Sequence, residues 1–238
     1  MAEKSYDLTL PMDKLIDIAV NKFGDVEFQD VAVGGESFKV LQIKNMQQYI
    51  DKLMDKTRAG KSVVLPLWAK LWPASMVMGH SLSKFPLSDD AEVLEIGGGA
   101  ALSALVLARR GFSVTVTDID QDALLFSRIN ALKNDVGERF TVVSSDFQNG
   151  LGKHYDCIVA CELLYEEKQF DLLASFIDKN LVQAESGEVF LSLDLKRVAQ
   201  NFFKESSEVF KIMKSTATFK EQDTGEAKPV NLFRFKRK

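Results

Sequence analysis

The stretch VLEIGGGAALSALVLARRG, from Val93 to Gly111, decides the fold of this chain. An apolar run predicts a short strand that ends near Glu95. Three consecutive glycines follow, Gly97 to Gly99, and apolar residues at helical spacing then predict a helix that ends before Gly111. The loop between this strand and this helix is either a cradle for a nucleotide or a tight strand-to-helix turn.

The residues after this stretch continue the alternation of strands and helices. Further strands are predicted at FSVTVTD, RFTVVSSD, YDCIVACE and EVFLSLD, and helices begin near Asp120 and Phe170. The strands are nearly continuous apolar runs, which is typical of a parallel sheet covered by helices on both faces. The segments STATFKEQ and PVNLFRFKRK predict a closing strand pair. We therefore predict an α/β fold, with a mainly parallel sheet and an antiparallel strand near the C-terminus.

The N-terminal quarter of the chain is less regular. It predicts a helix that ends at Gly24, a β-hairpin about Gly34 and Gly35, and a second helix at NMQQYIDKLMDK. A short helix is predicted after Pro73. We expect residues 1–62 to form a helix and hairpin cap on the α/β domain at 63–238.

Composition excludes several classes of protein. The chain of 238 residues has a net charge of −4, so we expect neither nucleic acid nor an anionic membrane as a partner. It contains no apolar run of the roughly 18 residues that a membrane-spanning helix needs, and a cytoplasmic location is expected. Cys157 and Cys161 lie roughly 13 Å apart along one predicted strand, too far for a disulfide. With only two histidines, no metal site is expected.

Acidic residues, accompanied by glycines or an aromatic residue, lie at or after the ends of four predicted strands. They are Glu95 with the three glycines, then Asp118, then Asp146 with Phe147, and finally Glu162 with Tyr165. Because ligands bind at the carboxyl ends of the strands in an open parallel sheet, we expect these residues to share one site.

The glycine loop fits a nucleoside better than a dinucleotide. Gly97 and Gly99 match the first two positions of the G-x-G-x-x-G fingerprint, but Leu102 stands at the third. Asp118 follows Gly99 by 19 residues, the interval expected of a carboxylate that binds ribose hydroxyls. A nicotinamide-dependent oxidoreductase stays open as an alternative at this point.

Two motifs resemble a known family. LEIGGGAAL followed by VTVTDID is similar to motif I and the next acidic strand end of the seven-stranded, S-adenosylmethionine-dependent methyltransferases. LWPASMVMGHSL, VSSDF and VACELLYEEKQFDLL resemble the family-16 protein-lysine methyltransferase group, over roughly residues 64 to 200. The resemblance implies a Rossmann-like, seven-stranded sheet, S-adenosylmethionine as the cofactor, and a protein lysine as the acceptor. Ala101 departs from the pattern, because a third glycine is frequent there.

The resemblance also implies a role for each residue. Gly97, Gly98 and Gly99 would approach the methionyl group of the cofactor, Glu95 its ammonium, Asp118 its ribose, Asp146 and Phe147 its adenine, and Trp72 and Cys161 would border the pocket. Glu162 would orient the acceptor amine and Tyr165 would assist its proton loss.

Simpler roles remain open for several of these residues. Glu95 could satisfy loop amides, Asp146 could form an Asx turn beside a core aromatic, Trp72 could be core, and Glu162 could cap the next helix. A small-molecule methyltransferase and an inactive methyltransferase-like binding protein are the remaining alternatives for the whole chain.

Overall fold

A seven-stranded mixed sheet with helices on both faces forms the centre of the computed structural model, which describes residues 5–58, 65–221 and 224–238. The strands are β1 (Val26–Val33), β2 (Glu36–Ile43), β3 (Glu92–Ile96), β4 (Ser113–Asp118), β5 (Phe140–Ser144), β6 (Cys157–Cys161), β7 (Glu188–Asp194), β8 (Phe210–Lys220) and β9 (Ala227–Arg237). The α-helices are α1 (Met12–Phe23), α2 (Met46–Arg58), α3 (Pro73–Leu82), α4 (Leu102–Arg109), α5 (Gln121–Lys133), α6 (Phe170–Asn180) and α7 (Gln200–Val209).

The strand order places the predicted site at a reversal of the winding direction. The order is β5-β4-β3-β6-β7-β9-β8, in which the first five strands are parallel and β9 runs antiparallel to both β7 and β8. The chain builds outward from β3 to β5 and then returns to β6 on the other side of β3. The crevice between β3 and β6 is therefore the position where such sheets bind ligands. The predicted fold class is confirmed.

The two faces of the sheet carry separate apolar cores, because successive residues of a strand point to opposite faces. Val93 packs on the face covered by α3 and α4. Leu94 packs on the face covered by α6 and α7. Helix α7 was not predicted from the sequence, since only Phe202 and Ser206 of its ten residues are buried.

The N-terminal elements pack against α5 rather than standing apart from the sheet domain. Leu15, Ala19 and Phe23 of α1 share an apolar cluster with Phe126 of α5. Immediately after this helix, Asn134 accepts a hydrogen bond from the Lys39 amide at 2.9 Å and donates to the Lys39 carbonyl at 2.7 Å. An asparagine thus occupies the place on β2 that a third strand would take. The expected boundary at 62/63 lies outside the described residues.

Within the described part of the chain, no helix has the length and apolarity that crossing a bilayer requires.

Candidate active site

The glycine loop after β3 is shaped by three close approaches. A Cβ at Gly97 would lie 2.2 Å from Leu163 Cδ2, and a Cβ at Gly98 would lie 2.3 Å from Val116 Cγ1. Gly99 has a φ of +53°, and its Cβ would lie 2.9 Å from the Trp68 carbonyl oxygen. A side chain at Gly99 would meet both backbone strain and backbone atoms. The loop is therefore compressed between β4, the segment after β6 and the segment before α3.

Glu95 is buried at the end of β3, with 2% of its surface exposed. Its Oε2 accepts a hydrogen bond from the Ala104 amide in the first turn of α4 at 2.9 Å. Burial raises the pKa of this carboxyl to about 8. The structure thus shows the amide-capping arrangement given above as the alternative, and contact with a methionyl ammonium stays a prediction.

Asp118 connects the end of β4 to the glycine loop. Its Oδ2 accepts from the Gly99 amide and its Oδ1 from the Asp120 amide, each at 3.0 Å. Burial raises the pKa of this carboxyl above its ordinary value. Asp120 caps α5, as predicted, by accepting from the Asp122 amide at 2.8 Å.

The residues predicted to surround the adenine lie at the end of β5. Asp146 is exposed and accepts a hydrogen bond from the Gln148 amide at 3.1 Å, which is the Asx turn named as its alternative role. The Phe147 ring packs on Phe176 at a centroid distance of 5.5 Å. Their contact with adenine stays a prediction.

The two tryptophans differ in their surroundings. Trp72 immediately precedes α3, donates to the Leu67 carbonyl at 3.1 Å, and carries the Lys70 ammonium over its ring at 4.5 Å. Trp68 packs on Phe23 and Phe126, and its backbone lies against Gly99. Sequence reasoning missed this backbone contact with the glycine loop. The role of Trp72 as a pocket wall stays a prediction.

Glu162 is held in place at the end of β6 by the neighbouring strand β7. Its Oε1 accepts from the Asp194 amide at 2.5 Å, and its Oε2 lies 3.6 Å from the Arg197 guanidinium. Burial raises the pKa of Glu162, opposed by the Asp194 amide and the Arg197 charge. The backbone amide that Glu162 binds thus belongs to the end of β7, and not to the helix near Glu166 that the alternative role required. The carboxylate is therefore fixed through one oxygen.

Tyr165 lies on the rim of a cavity of about 680 Å³. Its surface is 60% exposed, and burial of the rest raises the pKa of its phenol, with Asp118 and Glu166 acting in the same direction. Leu164, Asp194 and Arg197 also line this cavity. Sequence reasoning missed Asp194 and Arg197, although Asp194 ends a predicted strand as Glu95 and Asp118 do.

Cys161 ends β6, and its role at the border of the cofactor pocket stays a prediction. Its Sγ lies 3.7 Å from the Ser103 hydroxyl. Burial raises the pKa of the thiol to about 12, so the thiolate is absent at neutral pH.

Backbone strain is concentrated at this edge of the sheet. Of the described non-glycine residues, four have a positive φ, namely Ala101, Asp135, Phe147 and Glu162. Three of them belong to the connections that follow β3, β5 and β6. Such conformations cost of order 1–3 kcal/mol each and cluster at functional sites. Ala101, at φ 57°, occupies the left-handed position for which a glycine is favoured.

The charges at the glycine loop suit a cationic nucleoside. Glu95 is buried and Asp118 is partly buried, and their hydrogen-bond partners are backbone amides and the Ser103 hydroxyl. Among the described residues, no lysine or arginine forms an ion pair with either carboxylate. The ammonium and sulfonium groups of S-adenosylmethionine would favour the ionised form of these two acids and lower their raised pKa values, whereas a pyrophosphate would disfavour it. The residues present therefore fit this cofactor.

The sheet topology, the glycine loop and the strand-end carboxylates define the class of S-adenosylmethionine-dependent methyltransferases with a seven-stranded sheet. The family model described as "Lysine methyltransferase" matches residues 55–210, and the chain belongs to this family.

Individual relatives agree with this class. The chain is 32% identical over 116 residues to protein N-lysine methyltransferase METTL21A of Xenopus tropicalis, which covers 46% of this chain and 54% of that protein. It is 31% identical over 97 residues to the release factor glutamine methyltransferase of Chlorobaculum tepidum, or 36% of this chain and 33% of that protein. The chain thus spans between a third and about half of the length of these relatives.

Solved structures share the fold. A TehB-like methyltransferase from Corynebacterium glutamicum superposes with a TM-score of 0.51 at 14% identity, over 82% of this chain and 98% of that chain. The glycopeptide N-methyltransferase MtfA, complexed with S-adenosylhomocysteine, superposes with a TM-score of 0.53 at 16% identity, over 71% and 91%. S-adenosylmethionine is the cofactor of this fold and family.

Proposed function

We propose that this protein transfers a methyl group from S-adenosylmethionine to the ε-amine of a lysine in a protein acceptor. The observation that carries the proposal is the position of Glu162. Its strained backbone and its bond to the Asp194 amide fix its carboxylate next to Asp194 and Arg197, which line the cavity. A carboxylate held in this way can capture and orient an ammonium group. Family membership and the relative METTL21A support the same acceptor.

Glu162 and Tyr165 have different roles toward the acceptor amine, since Glu162 orients it and Tyr165 assists its loss of a proton. When bound, the cofactor supplies a methyl group on a sulfonium sulfur, and that sulfur keeps the S–C electron pair as the amine lone pair forms the N–C bond. Because the ordinary pKa of lysine is about 10.4, deprotonation of its ammonium group at pH 7 costs roughly 4–5 kcal/mol. Glu162 positions the amine, and the proton leaves to water or through the Tyr165 phenol.

The exposed apolar residues support a protein acceptor over a small molecule. Four exposed large apolar side chains follow the carboxyl ends of β4, β6 and β7, namely Ile119, Tyr165, Leu195 and Val198. Of these, Tyr165 and Val198 line the cavity. Ile119 and Val198 expose 68% and 74% of their surfaces. Exposed apolar groups at the rim of a cavity are typical of a protein interaction surface.

The test is a transfer of radiolabel to unknown acceptors. The protein is incubated with tritiated S-adenosylmethionine and a cell lysate, and labelled bands are hydrolysed and analysed for methyllysine. We expect a labelled protein band that yields methyllysine. Label in the small-molecule fraction would instead identify a metabolite acceptor, and the absence of label would favour a binding protein without activity.

Two variants connect the label to this site. Glu162→Ala and Tyr165→Phe should each lower labelling, by on the order of a hundredfold for Glu162→Ala, because orientation of the amine is lost. Both should bind S-adenosylhomocysteine with wild-type affinity in calorimetry, because neither side chain holds the glycine loop. Full labelling by both variants would place the acceptor site elsewhere.

A further inference from the structure

The connection between β7 and α7 brings a fixed positive charge to the acceptor cavity. Residues 196–199 of this connection line the cavity. The Arg197 guanidinium lies 3.6 Å from Oε2 of Glu162. A turn positions this residue, since the Arg197 amide donates to the Asp194 carbonyl at 3.0 Å. Asp194 therefore holds both members of the pair, Glu162 through its amide and Arg197 through its carbonyl.

We propose that Arg197 is a positioning residue of the acceptor site, which aligns Glu162 and lets the acceptor amine lose its proton at a lower pH. The inference rests on the proposed function, because it concerns an amine that Glu162 receives. Glu162 alone would favour the charged ammonium, which captures the acceptor but opposes its deprotonation. A cation on the same carboxylate offsets this effect while Glu162 keeps its orientation.

The surrounding charges make such a cation necessary. The other titratable groups that line this cavity are Tyr165, Glu167, Asp194 and Lys196. Asp118 and Glu166 act on Tyr165 through their charges. Four of these six groups are carboxylates, and an acidic environment raises the pKa of an amine. Lys196 and Arg197 are both exposed, but among the described residues Arg197 is the cation that pairs with Glu162, and its charge also acts on Tyr165. Arg197 is therefore the cation placed to act on the amine.

The test uses the pH dependence of kcat with the protein band that the wild-type enzyme labels. The acidic limb of this profile reports the ionisation of the bound amine. Removal of a cation favours the ammonium, so Arg197→Gln should move the limb upward by about one pH unit. That shift lowers kcat at pH 7 about tenfold and leaves it near the wild-type value at pH 9. Arg197→Lys should keep the wild-type midpoint.

A control and a second readout separate this role from a merely structural one. Arg139→Gln removes an arginine at the amino edge of the sheet, which donates to the Gly111 carbonyl, and it should leave the profile unchanged. A fall in kcat by the same factor at every pH in Arg197→Gln, or an unchanged profile, would overturn the inference.

The second readout needs no acceptor. The ionisation of Tyr165 is followed by its ultraviolet absorbance, with Tyr165→Phe subtracted. Arg197→Gln should raise the pKa of this phenol, because the Arg197 charge lowers it, and an unchanged titration would overturn the inference. If no protein band is labelled at any pH, the proposed function fails while this titration still decides whether Arg197 acts on the cavity.

Discussion

The Glu95 carboxyl shows how strongly burial can change one residue's contribution to stability. An acid whose pKa is about 8 when folded and 4.5 when unfolded binds more protons in the native state between these values. The contribution of Glu95 to the free energy of unfolding is therefore largest below pH 4.5, and it decreases as the pH rises toward 8. At pH 7 this loss amounts to roughly 3 kcal/mol.

Replacement of Glu95 by glutamine should remove this dependence. Glu95→Gln keeps an oxygen for the Ala104 amide but carries no charge, so we expect a higher free energy of unfolding than wild type at pH 7–8. Urea denaturation at pH 5 and pH 8 measures the change. The control is Glu27→Gln on the exposed face of β1, which should keep the wild-type slope. An equal decrease with pH in Glu95→Gln would show that another group is responsible.

At the scale of elements, two asparagines in and after α5 bind the N-terminal hairpin, and one of them also binds the glycine loop. Asn130 accepts from the Leu41 amide of β2 at 2.7 Å and donates to the Ala100 carbonyl at 3.1 Å. Asn134, one turn later, bonds to Lys39 of β2 and to the Asn130 carbonyl. Only the first of these two residues connects β2 directly to the loop between β3 and α4.

This difference predicts different outcomes for two matched substitutions. Asn130→Ala and Asn134→Ala each leave buried backbone groups without a partner, at a cost of roughly 1–3 kcal/mol per group. Both variants should therefore unfold at lower urea concentrations. Only Asn130→Ala should also weaken the binding of S-adenosylhomocysteine, by several-fold in calorimetry. Equal affinities in the two variants would mean that the hairpin does not help to hold the glycine loop.

Across the whole molecule, the sequence was most informative where one regular pattern determines both an element and its end. The apolar strands and their terminal polar residues predicted β3 to β7 and the edge that carries Glu95, Asp118 and Glu162. Helix α7 lacks a continuous apolar stripe, and so no pattern indicated it. Arg197 lies in an irregular connection, and its pairing with Glu162 depends on the adjacency of β6 and β7. Such tertiary contacts cannot be deduced from local spacing.

The exposed apolar residues around the cavity allow a protein acceptor to be distinguished from a small one. Two valines flank α7 at opposite edges of the sheet. Val198 lies before the helix, on the cavity, and is 74% exposed, whereas Val209 ends the helix and is 39% exposed. Val198→Asp places a charge where an acceptor protein would bury apolar surface, and it should raise the KM for that protein about tenfold.

A matched substitution and a measurement of cofactor binding show whether the change in KM is specific to the acceptor protein. Val209→Asp adds the same charge at the opposite edge, so its KM should equal that of the wild type. Both variants should bind S-adenosylhomocysteine normally, because neither valine contacts the glycine loop in the described structure. A short lysine peptide that reaches only the cavity should be methylated equally by Val198→Asp and wild type, since it buries little surface outside the cavity. An unchanged KM for the full protein acceptor would mean that recognition depends on the cavity alone, as expected for a small-molecule methyltransferase.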